Sequence, residues 1–302
     1  MRIRIGHLST VYHTSLLLRG LRLLERRGLY PCWKLYGGGP AIVEALSRGE
    51  LDAGYVGLPP AMAGIARGAQ LKCVAGGHVE GTVLCMAKAG EGNAEEIAAL
   101  LKGRRIGSPP RGSIHDIILR HLLRKHGAEA EVVNYPWADF IPLAMEAGEL
   151  DAAAGTPALA ALLVRELGAR IAIPPAELWP FNPSYGIVVR EEFLDSRELR
   201  LFLEKHEEMS NLIISRPRKA ARVAASVLGF VDAHFALEAI RLSPRYCAAL
   251  PEEYILSTLR FVPVMLELGY LERKLRRDEI FCTEVIEEVH PEGHHYGERL
   301  RL

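Results

Sequence analysis

The chain of 302 residues carries 37 basic and 37 acidic side chains, so its formal net charge is zero. Nucleic-acid and membrane-surface proteins usually carry a basic excess, so neither partner is expected. Apolar residues make up 49% and charged residues 25%, the balance of a globular protein with core enough for two lobes, and no stretch reaches the eighteen or so apolar residues that a membrane span needs.

Residues 2–8 alternate as a first strand, and Ser9-Thr-Val-Tyr-His13 is the polar loop at its end. The opening Met1-Arg-Ile-Arg-Ile-Gly6 lacks the unbroken apolar run of a secretory signal. As it stands the sequence reads as cytoplasmic, and as periplasmic or extracytoplasmic if an export signal has been removed. Residues 14–27 have helical spacing through Leu17, Leu21 and Leu24, with Gly28 closing the helix. A second strand over 30–36 runs into Gly37-Gly-Gly-Pro40. That run lacks the Gly-Lys-Ser/Thr ending of a nucleotide loop, yet it lets backbone approach a ligand closely.

The segment Gly49-Glu-Leu-Asp-Ala53 returns as Gly148-Glu-Leu-Asp-Ala152. A period that long predicts two similar sub-domains rather than a solenoid. Each copy has a helix before it, ended by a left-handed glycine, and a short apolar strand after it. The strand then meets a small-residue turn that opens another helix, Gly57-Leu-Pro-Pro-Ala61 in one copy and Gly155-Thr-Pro-Ala158 in the other. Both copies should therefore deliver a helix N-terminus to the C-terminal edge of a sheet, where amide groups and the helix dipole favour an anion.

Strands are expected over 71–75 and 82–87, the second crossing between lobes, and the fresh αβ alternation after residues 88–93 marks a second lobe. Lobe one is assigned residues 1–87 and 188–302, and lobe two residues 88–187. In lobe two, Ser108-Pro-Pro-Arg-Gly-Ser113 precedes a helix over 117–126, with Ser113 at an N-cap position and Arg111 able to add charge. Trp137 can stack on a ligand or pack between lobes. A proline-rich linker at 174–183 leads to a returning strand over 184–190, so two crossings form a hinge. From Ser196 on, the pattern is helical, with capping signals at Ser196, Ser215 and Pro251.

Chemistry is weakly signalled. The five cysteines show no CxxC pair and are expected to be reduced, with Cys32 packed in its strand. Ser113, His115 and Asp116 fall in one helical turn and cannot form a hydrolase triad. His290 and His294 are four apart, but Pro291 and Gly293 break any helix, so a polar tail is expected and no metal or cofactor is assigned.

The blocks Gly6 to His13, Gly37-Gly-Gly-Pro-Ala41, Glu44-Ala-Leu-x-x-Gly-Glu-Leu-Asp-Ala-Gly54, Gly57-x-Pro-Pro-Ala61 and Lys102-Gly-Arg-Arg-Ile-Gly107-Ser resemble the sulfonate, nitrate and taurine branch of ABC-transporter substrate-binding proteins. Thiamine-pyrimidine-precursor binders are similar. The resemblance covers about residues 1–270. It implies the α/β, two-lobed type II periplasmic-binding-protein fold with helices at its C-terminal end, a small-molecule ligand, an ABC permease as partner, and a monomer. Ligand contacts it implies are Ser9, Thr10, Tyr12, Gly38, Gly39, Leu58, Pro59, Ser108, Ser113 and Thr156. Arg111 and His13 join them from the loops, and the aromatic residues Tyr12, Tyr55, Trp137 and Tyr185 favour a ligand with an aromatic or heterocyclic portion. The function expected is binding of a small organic anion. The alternative is a cytoplasmic enzyme on the same fold, chorismate-dehydratase-like or desulfinase-like, using Cys32 or His13.

Overall fold

A computed structural model describes residues 1–87 and 92–301. Two five-stranded sheets share one strand order. In chain order the elements of the first sheet begin with β1 (Arg2–His7), α1 (Thr14–Leu21), β2 (Tyr30–Leu35), α2 (Gly39–Ser47), β3 (Ala53–Val56), α3 (Leu58–Ala66) and β4 (Leu71–Val79). The second sheet and its helices comprise β5 (Val83–Met86), α4 (Ala94–Leu100), β6 (Arg105–Ser108), α5 (Ile114–Lys125), β7 (Glu131–Asn134), α6 (Phe140–Glu146), β8 (Ala152–Gly155), α7 (Pro157–Leu167) and β9 (Arg170–Ile173). A short α8 (Pro175–Leu178) leads to β10 (Pro183–Arg190), which returns to the first sheet. It is followed by α9 (Arg197–Ser215), α10 (Pro217–Leu228), α11 (Ala233–Leu242), α12 (Glu252–Leu259), α13 (Phe261–Glu267), α14 (Arg277–Ile280) and α15 (Glu284–Val289).

In the strand orders β2-β1-β3-β10-β4 and β7-β6-β8-β5-β9, four strands of each sheet run in one direction and one inner strand runs against them. β1 pairs in parallel with β2 and β3, and β6 with β7 and β8. β10 is antiparallel to β3 and β4, and β5 to β8 and β9. The antiparallel strand is in each case the one adjoining a crossing. Helices cover both faces. The alternation of Val83 and Cys85 with Leu84 and Met86, for example, sends one pair to the α6/α7 core and the other to the α4/α5 core.

The repeated pentapeptide acts as a packing device. Gly49 (φ 72°) and Gly148 (φ 71°) end their helices in the left-handed conformation that a side chain would strain. Leu51 and Leu150 then press on glycines of β1 and β6, the central parallel strands: a Cβ at Gly6 would lie 2.6 Å from Leu51 Cδ1, and one at Gly107 would lie 2.7 Å from Leu150 Cδ1. The aspartates complete the match. Asp52 accepts the Arg4 backbone N–H at 2.8 Å and Asp151 the Arg105 N–H at 2.9 Å. Each carboxylate also takes a guanidinium, Arg4 and Arg190 on Asp52 and Arg104 on Asp151.

Three details depart from the sequence reading. The helix expected over 14–27 stops at Leu21 because Arg22 turns left-handed (φ 51°), and residues 25–27 make a separate 3-10 turn. Ser215 caps nothing. It is the last residue of α9 and its hydroxyl donates back to the Asn211 carbonyl. By strand pairing β5 and all of β10 lie within the sheets, so we place the two crossings at residues 80–82 and 174–182. The expected boundary between 87 and 88 abuts residues 88–91, which lie outside the described part.

Burial on its own would raise the Asp52 carboxyl, but the hydrogen bonds from Arg4 and Arg190 outweigh it and hold it below the ordinary carboxylate range. A depressed folded-state value adds stability above the unfolded value and loses it as pH falls through the folded one. Asp52→Asn should therefore lower stability by about 1.5–3 kcal/mol at neutral pH, with the gap closing in acid. Urea unfolding of both chains at neutral and acidic pH measures it, and an equal gap at both would refute the assignment.

Candidate functional site

A cavity of about 760 Å³ lies between the C-terminal edges of the two sheets. Residues just beyond six parallel strands line it: Ser9 and Thr10 after β1, Tyr36 and Gly37 after β2, Gly57 after β3, Pro109 and Pro110 after β6, Trp137 after β7 and Thr156 after β8. This is where an open α/β sheet leaves backbone groups free for a ligand.

Four helices begin at the cavity wall. Gly38 and Gly39 open α2, Gly57 and Pro60 open α3, Ser113 to His115 open α5, and Thr156 and Ala158 open α7. Prolines at the start of α3 remove donors, so that helix contributes mainly its dipole. The α5 start has no proline, and its first amides have no partner within the helix. Ser113 accepts the Asp116 N–H at 3.3 Å and Thr156 the Leu159 N–H at 3.2 Å. Each hydroxyl keeps its own proton to donate.

Charge stands at the exposed end. Asp139, Glu166, Asp232 and Arg165 line the rim, and Arg165 is the one Lys or Arg among the described lining residues. Its guanidinium is paired with Glu166 at 2.9 Å and Asp232 at 3.6 Å. The buried polar groups are neutral: Thr10, Ser113, Ser184 and His115. Burial pushes the His115 imidazole down to about 4, and its Nδ1 lies 3.0 Å from the Thr82 hydroxyl. The remaining walls are apolar, with Leu8, Leu35, Ile114, Leu159 and Phe235 among them.

The structure brings Ser9, Thr10, Gly38, Gly39, Ser113, Trp137 and Thr156 together at this cavity. It places the other candidates elsewhere. Leu58 and Pro59 are buried, Leu58 in the core beside α2, because the first turn of α3 aims them into the sheet. Ser108 is fully buried at the end of β6. Arg111 turns outward, its guanidinium 5.8 Å from the Tyr270 ring. Tyr12, His13, Tyr55 and Tyr185 form a buried aromatic floor, with His13 4.1 Å from Tyr185 and Tyr12 4.7 Å from His78. The expected aromatic lining thus reduces to Trp137 and Tyr36 near the loops, with Phe230 and Phe235 from the far side.

Cys32 is exposed on the edge strand β2, not packed, and is outside the lining. The C-terminal histidines are not a solvated tail, since His290 and His295 are drawn in against Cys247 and Glu207. Sequence reasoning missed His115 and Ser184, the first dismissed with the triad and the second taken only as a strand residue. Arg165, Glu166 and the residues 230–235 carried no local signal, because α7 and α11 meet only in the fold.

The two halves also touch. A Cβ at Gly37 would lie 2.5 Å from the Pro136 carbonyl and 3.1 Å from the Trp137 ring, and one at Gly38 would lie 2.9 Å from Pro110. Gly38 is extended (φ −171°), which any residue adopts, so these glycines are required by close approach rather than by conformation.

The profile of the NMT1-like family matches residues 22–229, more than two thirds of the chain. The chain belongs to the NMT1-like family. A candidate binding protein of Brucella abortus is 31% identical over 134 residues, which are 44% of this chain and 40% of that relative; the match thus spans less than half the length of the curated relative. This NMT1-like chain superposes on the alkanesulfonate-binding protein SsuA of Xanthomonas axonopodis bound to MOPS, with TM-score 0.80 and 20% identity over 93% of this chain and 98% of that one. It also superposes on the periplasmic nitrate-binding protein NrtA of Synechocystis, with TM-score 0.75 and 12% identity over 96% and 88%. The two-lobed fold of the sulfonate and nitrate binding proteins is therefore the fold of this NMT1-like protein. Among the described residues no helix is long and apolar enough to cross a membrane.

Beneath the cavity, burial also lowers His78 to about 4. A histidine whose folded value lies below its ordinary one favours the folded state above that ordinary value, and the benefit is lost as pH falls toward the folded one. Stability should therefore drop between about pH 6.5 and 4, by up to roughly 1.4 kcal/mol per pH unit for each of His78 and His115. Urea unfolding at stepped pH reads this directly, and a flat profile for the wild-type chain, or an unchanged slope in His78→Gln, would contradict it.

Proposed function

We propose that this protein is a solute-binding protein that closes its two lobes around a small organic monoanion of the sulfonate or carboxylate class. The observation that carries the reading is the cavity itself, ringed by strand ends and helix N-termini and holding no unpaired Lys or Arg among its described lining residues. Charge on the ligand would be met by hydroxyls and amides, as helix-terminus anion sites do. The rim carboxylates Asp139, Glu166 and Asp232 disfavour a multiply charged ligand. The apolar walls suit a hydrocarbon or heterocyclic body, and the sulfonate-binding neighbour holds MOPS. Delivery to an ABC permease on the outer side of the cytoplasmic membrane completes the proposal. Site residues on this reading are Ser9, Thr10, Gly38, Gly39, Ser113, His115, Trp137, Thr156 and Ser184.

Thermal unfolding against alkanesulfonates, MOPS, short carboxylates, nitrate and thiamine precursors should single out one class. A ligand at a hundredfold its dissociation constant adds about 2.7 kcal/mol of stability, and mass spectrometry should recover it unaltered. No stabilisation by any of them would count against binding, and conversion of a ligand to product would favour an enzyme instead.

Closure gives a second test. Gly37→Ala places a methyl against the Pro136 carbonyl, which belongs to the opposite lobe and cannot rotate away. Overpacking of that kind costs roughly 1–3 kcal/mol, so affinity should fall about ten- to a hundredfold. Wild-type affinity in this variant would mean that the lobes need not meet there.

A further inference from the structure

Outside the cavity lining, four side chains of metal-ligand type converge: Glu207 from the middle of α9, Cys247 from the loop after α11, and His290 and His295 from the segment following α15. Cys247 Sγ is 3.3 Å from His290 Nε2 and 3.6 Å from His295 Nδ1. Glu207 Oε1 is 3.7 Å from His290 Nε2 and 3.6 Å from His295 Nε2. One ligand atom from each residue can be chosen so that all four lie within 4.8 Å of one another. Metal–ligand bonds of about 2.0–2.3 Å in a tetrahedron imply ligand-to-ligand edges of roughly 3.3–3.8 Å, so with either His295 nitrogen as ligand three of these separations already match its edges. We propose that Glu207, Cys247, His290 and His295 bind one Zn2+ as a structural site.

The chemistry of the set favours zinc. One thiolate, one carboxylate and two neutral imidazoles balance a divalent ion in a buried place, and the mixed S, N and O donors are those zinc takes. All four positions are supplied by the protein, which leaves none open for substrate and marks the site as structural.

The surroundings are prepared for it. The Ala248 N–H donates to Glu207 Oε2 at 3.0 Å and fixes that carboxylate, while the Ala249 N–H donates to Cys247 Sγ at 3.4 Å. His290 Nδ1 makes no hydrogen bond although it is buried, and Glu292 Oε2 stands 3.4 Å from it. A carboxylate beside the non-ligating nitrogen is the usual way to orient a metal-bound imidazole. Pro291 and Gly293 break the helix, so it is His295 and not His294 that returns to the cluster. His294 faces Glu253 at 3.9 Å.

The position gives the ion a task. The Cys247 N–H donates to the Gly77 carbonyl of β4 at 3.3 Å, and the Tyr296 hydroxyl donates to the Ala249 carbonyl at 3.0 Å. A Cβ at Gly76 would lie 2.0 Å from the Tyr296 oxygen. Zinc would thus clamp the C-terminal segment across β4, one strand before the first crossing.

The test uses the full chain without a histidine tag. After chelation and dialysis, titration with ZnCl2 against a chromogenic chelator and elemental analysis should give one zinc per chain. Co2+ in its place should give a thiolate charge-transfer band and tetrahedral d–d bands. His290→Gln with His295→Gln should abolish stoichiometric binding, Cys247→Ser should remove the charge-transfer band, and His294→Gln should change neither. Glu292→Gln should weaken zinc binding by about tenfold, and zinc should raise the unfolding temperature of the wild-type chain. Failure of the wild-type chain to bind zinc, or a cobalt spectrum that is octahedral and lacks the thiolate band, would overturn the proposal without any variant having to fold.

Discussion

The constraint on which the molecule depends is the contact of one leucine with one glycine, made twice. Leu51 on Gly6 and Leu150 on Gly107 bring β3 against β1 and β8 against β6 at a separation that no larger residue would allow. Ile42 and Ile141 close on the same glycines from the preceding helix, their Cγ2 atoms each 3.0 Å from the position of a Cβ. Because interiors are packed to crystal-like density, register and depth follow together. By register Val56 and Gly155 each end their strands one residue beyond the ends of β1 and β6, and the helix starts at Gly57 and Thr156 both reach the cavity. The aspartates Asp52 and Asp151, hydrogen-bonded to Arg4 and Arg105, hold the opposite ends of the same strands.

Two such halves need a joint, and the crossings supply it. Glu80 (φ 59°) and Phe181 (φ 57°) are two of the three non-glycine residues in the left-handed region among the described residues, one in each crossing. They are tied to each other. The Glu80 N–H donates to the Asn182 carbonyl at 2.8 Å, and the Phe181 N–H donates to the Glu80 carboxylate at 3.1 Å. Arg245 pairs with the same carboxylate at 2.6 Å, and the Ser243 hydroxyl donates to the Glu80 carbonyl at 2.7 Å. Strained backbone persists only where its surroundings over-determine it. Here those surroundings are the joint, and the segment 243–247 that braces it also carries Cys247.

Much of this was legible in the sequence, and for physical reasons. The repeated pentapeptide carries its structure locally, since the left-handed glycine, the buried leucine and the strand alanine are read from adjacent positions. The loop at Ser113 was equally plain, because capping is a matter of three residues. The aromatic residues misled because a strand end was equated with a cavity wall. Side chains alternate along a strand, so Tyr55 in β3 and Tyr185 in β10 face the α1/α9 core while the turns beyond them face the ligand space. The same alternation was not available for the rim. Arg165 comes from α7 and Phe230 and Asp232 from the turn that opens α11, about sixty-five residues later in the chain, and no periodicity in either helix announces the other.

The buried floor beneath the cavity is a network of neutral groups. His13, His78 and His206 lie beneath it among Tyr12, Tyr55 and Tyr185, and all three imidazoles are held neutral by burial. The His206 proton goes to the Gly76 carbonyl at 2.8 Å, which leaves its Nδ1 to accept the Thr14 hydroxyl at 2.7 Å and lets Tyr55 donate to Thr14 in turn at 3.0 Å. A chain of neutral donors and acceptors closed on itself offers no cation to the space above. With Arg165 already paired at the rim, negative charge in the cavity can be balanced, among the described lining residues, only by dipoles: the starts of α2, α3, α5 and α7 and the hydroxyls beside them. Dipoles aimed from fixed helices stabilise one charge well and a second poorly, because their partial charges amount to about half an electron each. The same burial that lets the floor pack densely therefore keeps it without charge beneath the cavity.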